Sequence, residues 1–88
     1  MNLSRWRKFS KRDQWGAIAA EVARAAGWKG NNEEHYESAL VRAMELAAAS
    51  LDEPRWRNDA LMLLSLHEEL GQIYSGKKNN IQKLYAAL

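Results

Sequence analysis

Apolar side chains recur at steps of three and four residues through most of this chain, and no segment alternates at steps of two. That period matches the turn of an α-helix and not the pleat of a strand, so the pattern restricts the chain to an all-α fold. Trp15, Ile18, Ala19, Val22, Ala25 and Ala26 form one stripe, and Tyr36, Ala39, Leu40, Ala43, Met44, Ala47 and Leu51 form a second. Trp56, Ala60, Leu63, Leu64, Leu70, Ile73 and Tyr74 form a third, which Leu61, Met62 and Leu66 broaden. A helix apolar over so much of its circumference is expected to be central, touching two or more neighbours. Ile81, Leu84, Tyr85 and Leu88 make a last stripe, and a helix of about eight residues needs something to dock on.

Polar punctuation sets the boundaries. Ser10 with Asp13 has capping-box spacing and Gly27 can supply a left-handed cap, which predicts a helix over about 11–26 with Arg24 on its far side. Asn31 with Glu34 repeats that spacing, and Glu33 and Glu34 suit the positive end of a helix that runs to about Leu51. Asp52-Glu53-Pro54 stops that helix and primes one over about 54–75, closed by Gly76. Asn79 or Asn80 can open the short last helix. Leu3, Trp6 and Phe9, spaced by three, predict a single turn that lids the bundle. The fold expected is all-α: a small helical bundle of three main helices plus a short C-terminal helix, one domain over 1–88.

Size turns this fold into a question about partners. With 88 residues, 47% hydrophobic and 27% charged, the chain has the composition of a folded domain, but small cores supply only about 3–5 kcal/mol. The absence of cysteine excludes disulfide staples, zinc–thiolate sites and thiol catalysis, and it suits a reducing compartment. Four tryptophans, each able to bury about 150–250 Å², meet part of the shortage. Self-association is the remaining common source of burial, and a homodimer is the partner expected. Its candidate interface is Trp6, Phe9, Trp56, Ile81, Leu84, Tyr85 and Leu88. The basic first twelve residues are followed by no long apolar run, since stretches such as 17–20 and 60–64 are too short for a signal or a span. The expectation is a cytoplasmic protein with no membrane partner.

Charge is segregated along the chain. Residues 1–30 hold seven Lys/Arg and two Asp/Glu, residues 31–69 three and nine, and residues 70–88 three and none. Such blocks can neutralise one another within one bundle, or they can pair across a two-fold axis, the basic start of one copy meeting the acidic second helix of the other. The basic patch is Arg5, Arg7, Lys8, Lys11 and Arg12; the acidic patch is Glu33, Glu34 and Glu37. Trp6 and Phe9 interleave with the basic residues as they would in a small nucleic-acid-associated or antitoxin-like regulator, but their shared spacing favours a hydrophobic lid. The tripeptide Arg-Trp-Arg occurs at 5–7 and at 55–57, with flanks that differ too much for a repeat.

Catalytic signals are sparse. No helix carries Glu-x-x-His, and His67-Glu68-Glu69 lacks a second histidine. Glu33 and Glu37 with His35 could share a cation, although solvated charges at a helix start are the plainer reading. Neither histidine has a nucleophile at a telling spacing, and no glycine loop cradles phosphate. No catalytic residue, metal or cofactor is expected. A groove between helices lined by Trp and Tyr, softened by Met44 and Met62, is the form a ligand-binding protein or hydrolase would take.

Trp6, Lys11-Arg12-Asp13-Gln14, Ile18, Glu21, Arg24-Ala25 and Trp28, followed by Arg42-Ala43-x-Glu45-Leu46, resemble the small uncharacterised all-helical bacterial proteins found as integron and mobile gene cassette products. The resemblance covers about two thirds of the chain, and its motifs are scattered single residues. It implies a compact, self-associating helical bundle and carries no catalytic residue with it. Together these features describe a helical interaction module.

Overall fold

The computed structural model describes residues 3–88, the Leu3 side chain excepted, so that part of the expected Leu3 lid lies outside the described residues. The elements are α1 (Leu3–Arg7), α2 (Lys11–Trp28), α3 (Glu33–Leu51), a 3-10 helix (Pro54–Asp59), α4 (Ala60–Tyr74) and α5 (Ile81–Ala87). The fold is all-α, with three main helices packed together and a short C-terminal helix.

Local chemistry explains the ends. The Ser10 hydroxyl accepts the Asp13 amide at 3.1 Å and starts α2. Asn32, not Asn31, caps α3, accepting the His35 amide at 3.0 Å, while the Asn31 side chain donates to the Gly27 carbonyl. Helix α2 continues through Gly27 to Trp28, and the left-handed residue is Gly30, at φ 81°. The Asn31 and Asn32 amides bond back to the Trp28 carbonyl and close the turn there, which is why the reversal comes three residues later than expected. Gly76 does adopt the left-handed conformation, at φ 82°. The segment from Pro54 opens as six residues of 3-10 helix before α4, without a side-chain cap.

Helices α2 and α3 form an antiparallel hairpin. Trp28 meets His35 at one end, Glu21 pairs with Arg42 midway, and Trp6 and Gln14 meet Ser50 and Trp56 at the other end. Helix α4 packs on α3, and α5 returns along α2, tied by Lys29 Nζ to the Asn79 carbonyl and Gln82 Nε2 to the Ala26 carbonyl. The central helix is α3 and not α4. Its Ala39, Ala43 and Ala47 are fully enclosed, and small side chains let α2 and α4 approach from either side. Helix α4 buries Leu63, Leu70 and Ile73 of its expected stripe together with Leu66, while Leu64 and Tyr74 of that stripe stay outside with Leu61 and Met62.

Candidate functional site

The two Arg-Trp-Arg tripeptides, fifty residues apart in sequence, come together at one end of the bundle. Gln14 joins them: its Nε2 donates to the Trp6 carbonyl at 2.8 Å and its Oε1 accepts the Trp56 indole N–H at 2.6 Å. The Trp6 indole N–H donates to Ser50 Oγ at 3.2 Å, and that hydroxyl donates in turn to the Leu46 carbonyl. Every member of this network is buried, and each polar atom has its partner, as burial demands. Arg55 completes the join by donating to the Phe9 carbonyl at 2.8 Å and the Arg7 carbonyl at 3.3 Å, while it pairs with the buried Glu53 carboxylate. Lys11 pairs with Asp59 and lies 4.9 Å over the Trp56 ring.

Anchoring the tryptophans inward turns their neighbours outward. Arg5, Arg7, Lys8, Arg12 and Arg57 are all exposed around the buried pair, so the basic patch read from residues 5–12 gains Arg55 and Arg57 from the far side of the sequence. Residues 5–13 and 52–59, which build this end, hold seven Lys/Arg against four Asp/Glu. Phe9 packs edge-on against Trp6, ring centroids 6.0 Å apart at 81°, with 42% of its surface open.

The residues of the expected partner interface do not come together on one open surface. Trp6, Trp56 and Ile81 are enclosed by their own chain, the first two by the Gln14 network and the third between α5 and the core, so none of the three is available to a second molecule. Leu84 and Leu88 are half-buried against the core, leaving only Phe9 and Tyr85 of that set exposed. The acidic patch Glu33, Glu34 and Glu37 is exposed at the start of α3, at the opposite end from the arginines, and forms no ion pair among the described residues. Burial pushes the Tyr36 phenol up, and Glu33 and Glu37 beside it add to the effect.

Trp28 partly covers His35, whose imidazole is otherwise in solvent, and neither histidine lines any of the four principal grooves. No group of three or more His, Asp or Glu among the described residues could hold a metal ion. A groove of about 430 Å³ between α2 and α3 is floored by Ala17, Ala20 and Leu46 and bounded by Arg24 and Arg42. Both arginines are committed to the buried Glu21 carboxylate, which satisfies its charge, and the exposed Glu45, without an ion pair among the described residues, also lines the groove. No helix among the described residues is long and apolar enough to cross a membrane.

The largest uncovered apolar side chains lie on α4. Leu61 is 80% and Leu64 51% exposed, three residues apart on one face. Arg57 stands four residues before Leu61 and Glu68 four residues after Leu64; both are exposed, and neither makes an ion pair among the described residues. Compared with family models, with curated proteins and with solved structures, the chain matches none.

Proposed function

We propose that the protein is a helical interaction module that self-associates through the outward face of α4. The observation that supports this reading is the symmetry of the uncovered stripe Arg57–Leu61–Leu64–Glu68. Its residues are spaced equally in sequence about a midpoint between Met62 and Leu63, three of them on α4 and Arg57 in the 3-10 helix just before it. A two-fold axis at that point, with the two α4 helices antiparallel, sets Leu61 against Leu64 of the partner subunit and Arg57 against Glu68 of the partner subunit, each contact made twice. Such self-complementarity is what an isologous interface requires. Its α-helical part, Leu61 to Glu68, is about 12 Å long, and a strip that short covers far less than the roughly 800 Å² per partner of a standard interface, so association belongs to the weak, transient class.

The test is molar mass by light scattering over a range from about 10 μM to 1 mM, where weak complexes populate. The mass is expected to rise from monomer toward dimer, and a constant monomer mass refutes the proposal. Leu61→Asp is expected to hold the monomer mass while leaving the melting temperature of the dilute protein unchanged, because that side chain touches little of its own chain. Arg57→Glu and Glu68→Arg are each expected to weaken association alone and to pair with one another when mixed, which a non-specific hydrophobic contact would not reproduce.

A further inference from the structure

We infer that the end of the bundle built by the two Arg-Trp-Arg tripeptides binds single-stranded nucleic acid, through the phosphate backbone and one stacked base. The inference does not rest on the α4 stripe, with which it shares Arg57 alone. Three features converge on one surface.

The first is cationic side chains held in place by buried anchors. Trp6 and Trp56 are locked by Gln14, and Arg55 is locked on the carbonyls of Arg7 and Phe9, so the backbone that carries Arg7, Lys8, Arg12 and Arg57 is fixed while their side chains reach solvent. Arg7, Lys8, Arg12 and Arg57 make no ion pair among the described residues; of the four acidic groups of this end Glu53 and Asp59 are taken by Arg55 and Lys11, while Asp13 and Asp52 are exposed. The second is the kind of cation. Three of these four cations are arginine, whose planar fork takes phosphate oxygens in pairs. The third is Phe9, half open and braced edge-on by Trp6 beside Arg7 and Lys8, a rigid ring on which a base can stack.

Duplex readout is not what this surface offers. A groove-reading helix must project its first turns, but α1 is five residues long, and the start of α2 is tied down by the Ser10 cap and by the pairing of Lys11 with Asp59. An acidic protein surface would be drawn to the same arginines but has no use for an open aromatic ring between them.

The test is fluorescence anisotropy of a labelled oligothymidylate, with a duplex of equal length and polyglutamate as comparisons. Oligothymidylate is expected to bind tighter than both. Contacts to three or four phosphates predict affinity falling about 20- to 50-fold between 50 and 200 mM salt. Phe9→Ala is expected to weaken oligothymidylate binding by about 5- to 150-fold, the range for losing one stacked base, and to leave polyglutamate binding unchanged. Arg7→Glu with Lys8→Glu, both fully on the surface, is expected to abolish the salt-dependent binding with an unchanged melting curve. No binding at 50 mM salt, equal or tighter binding of polyglutamate or of the duplex, or a Phe9→Ala variant that folds and binds like the parent would each overturn the inference.

Discussion

Gln14→Leu is the sharpest probe of how the fold builds its basic end. The two side chains have similar volumes, so the substitution opens no sizeable cavity, and what changes is hydrogen bonding. The Trp56 indole N–H loses its acceptor in an enclosed environment, whereas the Trp6 carbonyl loses the Gln14 amide but keeps the Phe9 N–H at 3.2 Å. A buried polar group left without a partner costs about 1–3 kcal/mol, and the indole N–H is the one group so left, which predicts a loss of about 1–3 kcal/mol. In a domain of this size each kcal/mol moves the melting temperature by about 4–8 °C, which puts the expected drop at about 4 °C or more. Thermal unfolding followed by circular dichroism measures it, and the indole N–H resonance of Trp56 reports whether the bond itself is lost. Gln82→Leu is the control, because it removes an exposed bond to the Ala26 carbonyl and is expected to cost under about 0.5 kcal/mol. A Gln14→Leu protein melting within about 2 °C of the parent would refute the reasoning, since the buried network would then contribute nothing beyond its volume.

Two further predictions concern α5. Ile81 is fully buried and anchors a helix of seven residues that cannot persist undocked, so Ile81→Ala is expected to cost about 2–5 kcal/mol and to expose Lys83 to trypsin; a cleavage rate equal to the parent's would contradict this. Glu69 on α4 accepts hydrogen bonds from Asn80 and Lys78, in that order of effect, which hold its carboxyl below its ordinary value. A lowered carboxyl contributes stability above its unfolded pKa and loses it as pH falls through the folded one. The methyl resonances of Ile81 and Leu84 are therefore expected to broaden or shift below about pH 4. Glu69→Gln removes that transition, and an identical acid profile in the variant would contradict the assignment.

Helical period and caps were enough to place α2, α3 and α5 to within a few residues, because both signals are local: Ser10, the asparagines before α3 and Gly76 act on atoms no more than four residues away. What escaped was set by distance or by competition. Gly27 and Gly30 are both able to end a helix, and the choice depends on which carbonyl Asn31 and Asn32 reach. Trp15 drew the inner stripe of α2 to itself, yet Gln14 is the enclosed residue, with Trp15 only half-buried. The signal was present, since Gln14, Ile18, Glu21 and Ala25 follow the helical step, and two polar residues on that step mark buried polar chemistry. The approach of the two Arg-Trp-Arg tripeptides had no local trace, because only the antiparallel return of α3 brings Trp56 to Gln14.

The two surface features follow from one shortage. A chain with this few residues encloses Trp6 and Trp56 at one end and uses Ile81 to close α5 over α2, which leaves no element to cover the outside of α4. Leu61, four-fifths in water, gives the isolated chain almost none of the roughly 1.5–3 kcal/mol that burying a leucine is worth. That free energy is realised only against another surface, and an antiparallel pairing of α4 would bury Leu61 and Leu64 from both copies. The same inward turn of the tryptophans forces the residues flanking each of them, two arginines apiece, into solvent. Burial of the rings and display of the guanidinium groups are thus one event, and a change that releases Trp56 is expected to scatter the arginines along with it.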